Sequence, residues 1–332
     1  MNSMTKNSMT SSKSRTVVLA ASLLILPSVL AAHHLGDDNG SDPELVVFGD
    51  SLADGGNYFV QTGQHTMRPF EFVPSAPYAI GGFHFSNGRT WVEQLARRLH
   101  DRKSGKPSLR VPGRFTNYAY GRARSRPGAA TFPDFDLGTQ VGLFLTDFGG
   151  IAPSGSTYVI GTGSNDVRDA LTQLIVDPSG LSSGAILQAA VTATADNIMA
   201  LWGSGARTFL VPNSANIGIT PAVRAAGPQA EFGGMQLSVG YNLGLSAALD
   251  ALEALPGINI IRMDVFTILN ELVADPESAG LMNVTDSCIT PGVVIKALCN
   301  QPGQYLFWDG AHPTRAGHRH LAVEAEEILT DS

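Results

Sequence analysis

Leu45-Val46-Val47-Phe48-Gly49-Asp50-Ser51-Leu52 is a short apolar run closed by glycine, with a serine two residues beyond it. A run of this length bounded by a turn signal is the pattern of a strand buried on both faces, and open α/β sheets place their chemistry at the carboxyl ends of such strands. Ser51 is therefore expected at a strand end, lifted clear of the core. Near the other end of the chain, Asp309-Gly310-Ala311-His312 sets a carboxylate three residues before an imidazole. Together the two stretches supply a nucleophile, a base for its proton and an acid group to orient that base, which is what a serine hydrolase needs.

Working outward, 332 residues with 43% hydrophobic content suffice to bury a full core as one catalytic domain. A net charge of -7 and a pI near 5.6, with no basic tract beyond the amino-terminal stretch, exclude nucleic acid and an anionic membrane surface as main partners. They point to a neutral substrate and leave the oligomeric state open. Met1 to Ala32 has a polar start with Lys6, Lys13 and Arg15, an apolar stretch from Thr16 to Leu26, then Pro27 and small residues suited to cleavage. This predicts a secretory signal peptide over 1–32, a polar linker over 33–43 and the hydrolase domain over 44–332. The apolar stretch falls short of the about 20 residues a membrane span needs, so no stable span is expected after cleavage, and the product is extracellular or periplasmic.

Cys288 and Cys299 are the two cysteines, and in an exported chain such a pair is expected to close a disulfide around one late loop. Neither has a histidine at catalytic or zinc-site spacing, so no chemistry is expected at them, and no metal and no cofactor are expected for the chain. Asn39-Gly40-Ser41 and Asn283-Val284-Thr285 match the glycosylation sequon.

Further strands are predicted at Tyr158-Val159-Ile160, Thr208-Phe209-Leu210-Val211 and Ile258-Asn259-Ile260-Ile261. Helical patterns run over Thr90 to Leu99, Ala185 to Trp202, Gln236 to Leu255 and Thr314 to Leu329, with Asp177-Pro178-Ser179-Gly180 a turn. This alternation predicts an α/β/α three-layer domain around a mostly parallel sheet. Gly55 to Asn87, rich in glycine, proline and aromatic residues, reads as a substrate-side loop whose Phe59, Phe70, Phe72, Tyr78 and Phe83 either line an apolar acyl groove or simply pack on the surface.

Two more clusters bear on the chemistry. Gly161-Thr162-Gly163-Ser164-Asn165-Asp166 follows a strand and opens a helix, which brings the Asn165 amide to the sheet edge that carries Ser51, where its N–H can serve an oxyanion. Asn117-Tyr118-Ala119-Tyr120-Gly121 offers a flexible turn whose N–H can point to the same place. Asp50 and Asp166 read as structural acceptors, and His318 and His320 as packing or solvated residues. Gly180-Leu181-Ser182-Ser183-Gly184 fits the nucleophile-elbow pattern, but Asp177-Pro178 precedes it instead of a strand.

Four of these blocks, in order, resemble the GDSL or SGNH lipase and esterase superfamily, particularly its secreted phospholipase and lecithinase-like branch: Phe48 to Asn57, Gly121, Gly163-Ser164-Asn165-Asp166, and Asp309 with His312. Phe85 to Trp91 and Asn216 to Pro221 are also similar to that branch. The resemblance implies a flavodoxin-like fold, Ser51 as nucleophile and oxyanion donor through its own N–H, Gly121 and Asn165 as further oxyanion donors, and Asp309 and His312 completing the triad. Related proteins often carry two glycines in the second block. Here Arg122 follows Gly121, and if the second position is the donor Arg122 supplies the N–H. The expected activity is hydrolysis of lipid-like or short-chain carboxylic esters through an acyl-enzyme on Ser51. A carbohydrate acetyl esterase is the alternative enzyme, and a non-catalytic binding or adhesion protein the alternative of another class.

Overall fold

The computed structural model describes residues 44–128 and 135–331. The predicted signal peptide, the linker and the Asn39 sequon lie outside the described residues. Four strands, β1 (Leu45–Gly49), β2 (Thr157–Gly161), β3 (Thr208–Pro212) and β4 (Asn259–Met263), form a parallel sheet in the order β1-β2-β3-β4. A second parallel pair joins β5 (Asn283–Ser287) to β6 (Tyr305–Phe307). The helices are α1 (Asn57–Thr62), α2 (Trp91–Arg98), α3 (Leu137–Asp147), α4 (Ser164–Val176), α5 (Leu181–Gly203), α6 (Pro221–Ala225), α7 (Pro228–Leu252), α8 (Val265–Ala274) and α9 (Arg315–Thr330).

The alternation of strand side chains creates the layers. Val46, Phe48, Tyr158, Ile160, Phe209 and Val211 share one buried cluster with residues of α3, α4, α5 and α7. Leu45, Val47, Val159, Leu210, Ile261 and Met263 share another with α2, α8 and α9. Both faces of the sheet are covered along β1, β2 and β3, which is why these strands read as continuous apolar runs, while the edge strand β4 carries exposed Asn259 and Arg262. This is the flavodoxin-like α/β/α arrangement that the sequence predicts.

Two differences follow from local physics. The Asn117 to Gly121 segment is no free turn: Tyr118 N donates to Val47 O at 2.7 Å and Tyr120 N to Gly49 O at 3.0 Å, so it extends the sheet along the outer edge of β1. The helix predicted from Gln236 starts eight residues earlier, at Pro228, because proline suits a first helical turn, and the glycines that follow blur the apolar period without breaking the helix. Hydroxyl residues cap both α2 and α9. Thr90 and Glu93 close a capping box, and Thr314 Oγ1 accepts from Gly317 N at 3.1 Å.

His318 on α9 is buried, and its Nδ1 has no partner among the described residues. Burial pushes its imidazole down to about 3. The unfolded chain takes up this proton near the ordinary histidine value of about 6.5, so the stability is fully present above that pH and is lost as pH falls toward 3. The loss is about 2 kcal/mol by pH 5. Denaturant titrations at pH 7 and pH 5 are expected to show a smaller drop in His318→Leu than in the native protein, and equal drops would remove His318 as the cause.

Candidate active site

The chain leaves β1 into a tight turn. Ala53 N and Asp54 N both donate to Asp50 O, at 3.1 and 3.0 Å, and the Asp50 carboxylate accepts from Leu52 N at 2.9 Å. Ser51 is thereby held at the crown of the turn. Asp54 ties the next segment down by accepting from the N–H groups of Gly56, Asn57, Tyr58 and Gly121 at 2.6–3.1 Å. Burial pushes both carboxyl groups up to about 6, a rise that their N–H donors oppose.

The opposite wall is the loop after β6. Trp308 N donates to His312 O at 2.8 Å, closing Trp308 to His312 into one turn. Asp309 Oδ1 accepts from Ala311 N and His312 N, each at 2.8 Å, and Oδ2 accepts from the Tyr78 hydroxyl at 3.1 Å. The His312 ring sits against this carboxylate, with Nδ1 at 2.8 Å from Oδ2, and its Nε2 lies 2.9 Å from Ser51 Oγ. Ser51, His312 and Asp309 are 7%, 6% and 0% exposed, so the relay runs through a site nearly stripped of bulk water. Such an arrangement fixes which ring nitrogen is protonated and leaves Nε2 to take the serine proton. The Cys288–Cys299 disulfide braces this wall from behind, because Cys288 N and Ile289 N donate to Phe307 O and Trp308 O at 3.0 and 2.9 Å.

Asn165 stands in the first turn of α4, directly after β2. The entry needs glycine: Gly163 has φ 123°, and a Cβ there would lie 2.3 Å from the Tyr241 hydroxyl. One N–H of the Asn165 amide donates to Ala123 O at 2.9 Å, which orients the group, and the nitrogen has a second N–H to offer; Asn165 lines the pocket with Ser51 and His312. Asp166 is buried behind it, accepting from Ser125 N and pairing with Arg126, with its carboxyl pushed up to about 7 by burial.

Gly121 departs from expectation. Its N–H donates to Asp54 Oδ2 at 2.8 Å, and so is committed to a buried carboxylate instead of facing the serine. Glycine is needed there for packing, since a Cβ would lie 2.2 Å from the Phe85 ring. The chain then turns at Arg122, in the left-handed region at φ 71°, and Arg122 lines the pocket.

The aromatic loop mostly packs on itself. Phe59 stacks on Phe83 with ring centroids 3.5 Å apart, while Phe70 and Tyr78 join a buried cluster with Trp308. The backbone O of Phe72 accepts from Gly310 N at 2.7 Å. Tyr78 thus serves Asp309 instead of an acyl groove, and burial together with Asp309 raises its pKa well above the ordinary phenol range, keeping it a donor. Phe85, with Val73 and Pro74, does reach the pocket, whose volume is about 360 Å³. The Gly180 to Gly184 elbow pattern opens α5 after a helix and a turn instead of a strand, with Ser182 N donating to Asp177 Oδ2 at 2.9 Å.

The family model for GDSL-like lipase/acylhydrolase matches residues 45–325. A GDSL esterase/lipase of Arabidopsis thaliana is 29% identical over 318 residues, covering 88% of this chain and 90% of its own. Acetylajmalan esterase 2 of Rauvolfia serpentina is 27% identical over 326 residues, covering 82% and 86%. A solved acetylxylan esterase from Geobacillus stearothermophilus aligns with a TM-score of 0.45 at 15% identity, over 87% of this chain and 95% of that one.

Proposed function

The chain belongs to the GDSL-like lipase/acylhydrolase family and is a serine ester hydrolase, and from that premise we propose that Ser51 is the nucleophile, His312 the general base and acid, and Asp309 the group that orients it. The observation that carries this reading is the unbroken line of hydrogen bonds from Asp309 through His312 to Ser51 Oγ. Ser51 Oγ attacks the ester carbonyl as its proton passes to His312 Nε2, giving a tetrahedral oxyanion. His312 then delivers that proton to the leaving alkoxide, and the C–O bond breaks to give the acyl-enzyme. Water, deprotonated by the same Nε2, attacks the acyl carbon and releases the acid with Ser51 restored. Asp309 stabilises the imidazolium formed at each step.

Ser51 N–H and the second N–H of Asn165 receive the oxyanion. With the Gly121 N–H bound to Asp54, the donor from the second block is Arg122 N–H. Asn165→Ala is expected to lower kcat by about 10²–10³ with little change in KM, because the donor acts on charge that develops only in the transition state. A loss confined to KM would make Asn165 a substrate-binding residue only.

The substrate is a short-chain acyl ester. Val73, Pro74 and Phe85 give the pocket an apolar wall beside Ser51 against which a short acyl group can pack. Labelling with a fluorophosphonate, followed by peptide mapping, tests the nucleophile: label on Ser51 in the native protein and none in His312→Ala is expected. A labelled serine elsewhere sinks the assignment. Nitrophenyl esters of graded length test the substrate, with an optimum at acetyl favouring a carbohydrate acetyl esterase. Residues 1–32 act as an export signal and the mature enzyme works outside the cytoplasm, a reading supported by the signal-like sequence and the Cys288–Cys299 bond. Among the described residues no helix is long and apolar enough to cross a membrane.

A further inference from the structure

Arg168 lies on α4 one turn beyond Asn165, so the two side chains share a face of the helix, and both line the pocket that holds Ser51 and His312. Neighbouring arginines are engaged. Arg124 grips Asp169 through two bonds, at 3.0 and 2.9 Å, and Arg126 pairs with Asp166 at 3.1 Å and also binds Asp169. Arg168 differs from both: among the described residues its guanidinium makes no hydrogen bond and no ion pair, and the Asp50 and Asp169 carboxylates act on it only from a distance.

A guanidinium carries five N–H donors in a rigid fork and stays charged at any physiological pH. Drawing such a group partly out of water without an acceptor is costly, and burial is the chief influence that destabilises its charged form here. The cost is offset when an acceptor of opposite charge arrives, because the fork matches a carboxylate or phosphate with two parallel bonds. The global charge of -7 predicts a neutral substrate, but the wall of the pocket has the opposite local sign, and local charge governs recognition at contact distance.

We propose that Arg168 binds an anionic group on the substrate, so that the enzyme selects esters carrying a negative charge near the scissile carbonyl. The inference rests on Ser51 being the reacting group, since it is the nearness of Arg168 to Ser51, Asn165 and His312 that makes the anion part of the ester. Arg168 acts in specificity; no bond is made or broken at it.

The test compares kcat/KM for nitrophenyl adipate monoester, anionic on the acyl side, with the neutral nitrophenyl hexanoate, and for the butyryl ester of hydroxybenzoate, anionic on the alcohol side, with phenyl butyrate. Spontaneous hydrolysis is subtracted in each case. The native protein is expected to favour the anionic member of at least one pair by about tenfold or more, the scale of a hydrogen bond to a charged group. Arg168→Gln brings that ratio close to one, while Arg168→Lys keeps part of it, having the charge but not the fork. No preference in either pair, or a preference that survives in Arg168→Gln, overturns the proposal. Calorimetric titration of Ser51→Ala with monomethyl adipate and with methyl hexanoate gives a second measurement that needs neither turnover nor an Arg168 variant. Tighter binding of the anion supports the proposal even if no ester is hydrolysed, and equal binding overturns it. The Ser51 reading stands or falls separately, on whether the native protein hydrolyses the neutral hexanoate and Ser51→Ala does not.

Discussion

Ser51→Ala is expected to reduce kcat on a short nitrophenyl ester by about 10⁶, leaving only what the oxyanion donors and substrate binding supply. The loss is chemical and not structural. The Ser51 hydroxyl bonds to His312 Nε2, and its removal leaves the turn intact, because the turn is held by backbone bonds to Asp50 O and by the Asp50 side chain. The thermal midpoint of the variant should therefore stay within a few degrees of the native value, as one neutral hydrogen bond contributes about 1 kcal/mol. Burst kinetics on the native protein fix the active-site concentration, so that traces of native enzyme are not mistaken for residual activity. A variant rate within tenfold of native removes Ser51 from the mechanism.

How much of this was legible in the sequence depends on whether a feature is carried by one segment or by several. Leu45 to Gly49 announces β1 because a strand buried on both faces needs an unbroken apolar run, and the Asp-x-x-His spacing of Asp309 and His312 announces a tight turn that presents both side chains together. The meeting of Ser51 with His312 needed the further inference that both follow strands of one α/β fold, and the resemblance of four ordered blocks supplied it. The second block was the weak point. Which way a backbone N–H points is set by φ and ψ and by competing acceptors, and the acceptor that captures Gly121, Asp54, lies 67 residues away. Tyr78 shows the same limit, for its partner Asp309 is 231 residues distant and its own neighbourhood reads only as an aromatic loop. The edge segment Asn117 to Tyr120 reads as a turn and not as a strand because its two tyrosines and asparagine lack the apolar run of a central strand. Arg168 had a signal of another kind. Helical spacing places it beside Asn165, but sequence cannot show that its neighbours Arg124 and Arg126 take the nearby carboxylates.

Asp309→Asn is expected to cost about 10⁴ in kcat, more than loss of an oxyanion donor, and the reason lies in which proton His312 holds. Asp309 Oδ1 accepts from Ala311 N and His312 N, so an asparagine at this position keeps its carbonyl oxygen there; turning the amide over would set its NH₂ against two backbone N–H donors. The amide nitrogen then takes the place of Oδ2, 2.8 Å from His312 Nδ1, where it donates to the ring in competition with the carbonyl oxygen at the Oδ1 position, 2.9 Å from the same nitrogen. A ring that accepts from the amide carries its proton on Nε2, the nitrogen that must receive the proton of Ser51, and the nucleophile loses its base. Tyr78 loses little, since its hydroxyl can accept from the amide as readily as it donates to the carboxylate. The variant should therefore fold normally, bind short esters with near-native KM and fail at the chemical step. A variant that keeps a tenth or more of native kcat shows that Asp309 only braces the loop, because a brace survives the exchange of one oxygen for nitrogen and a tautomer does not.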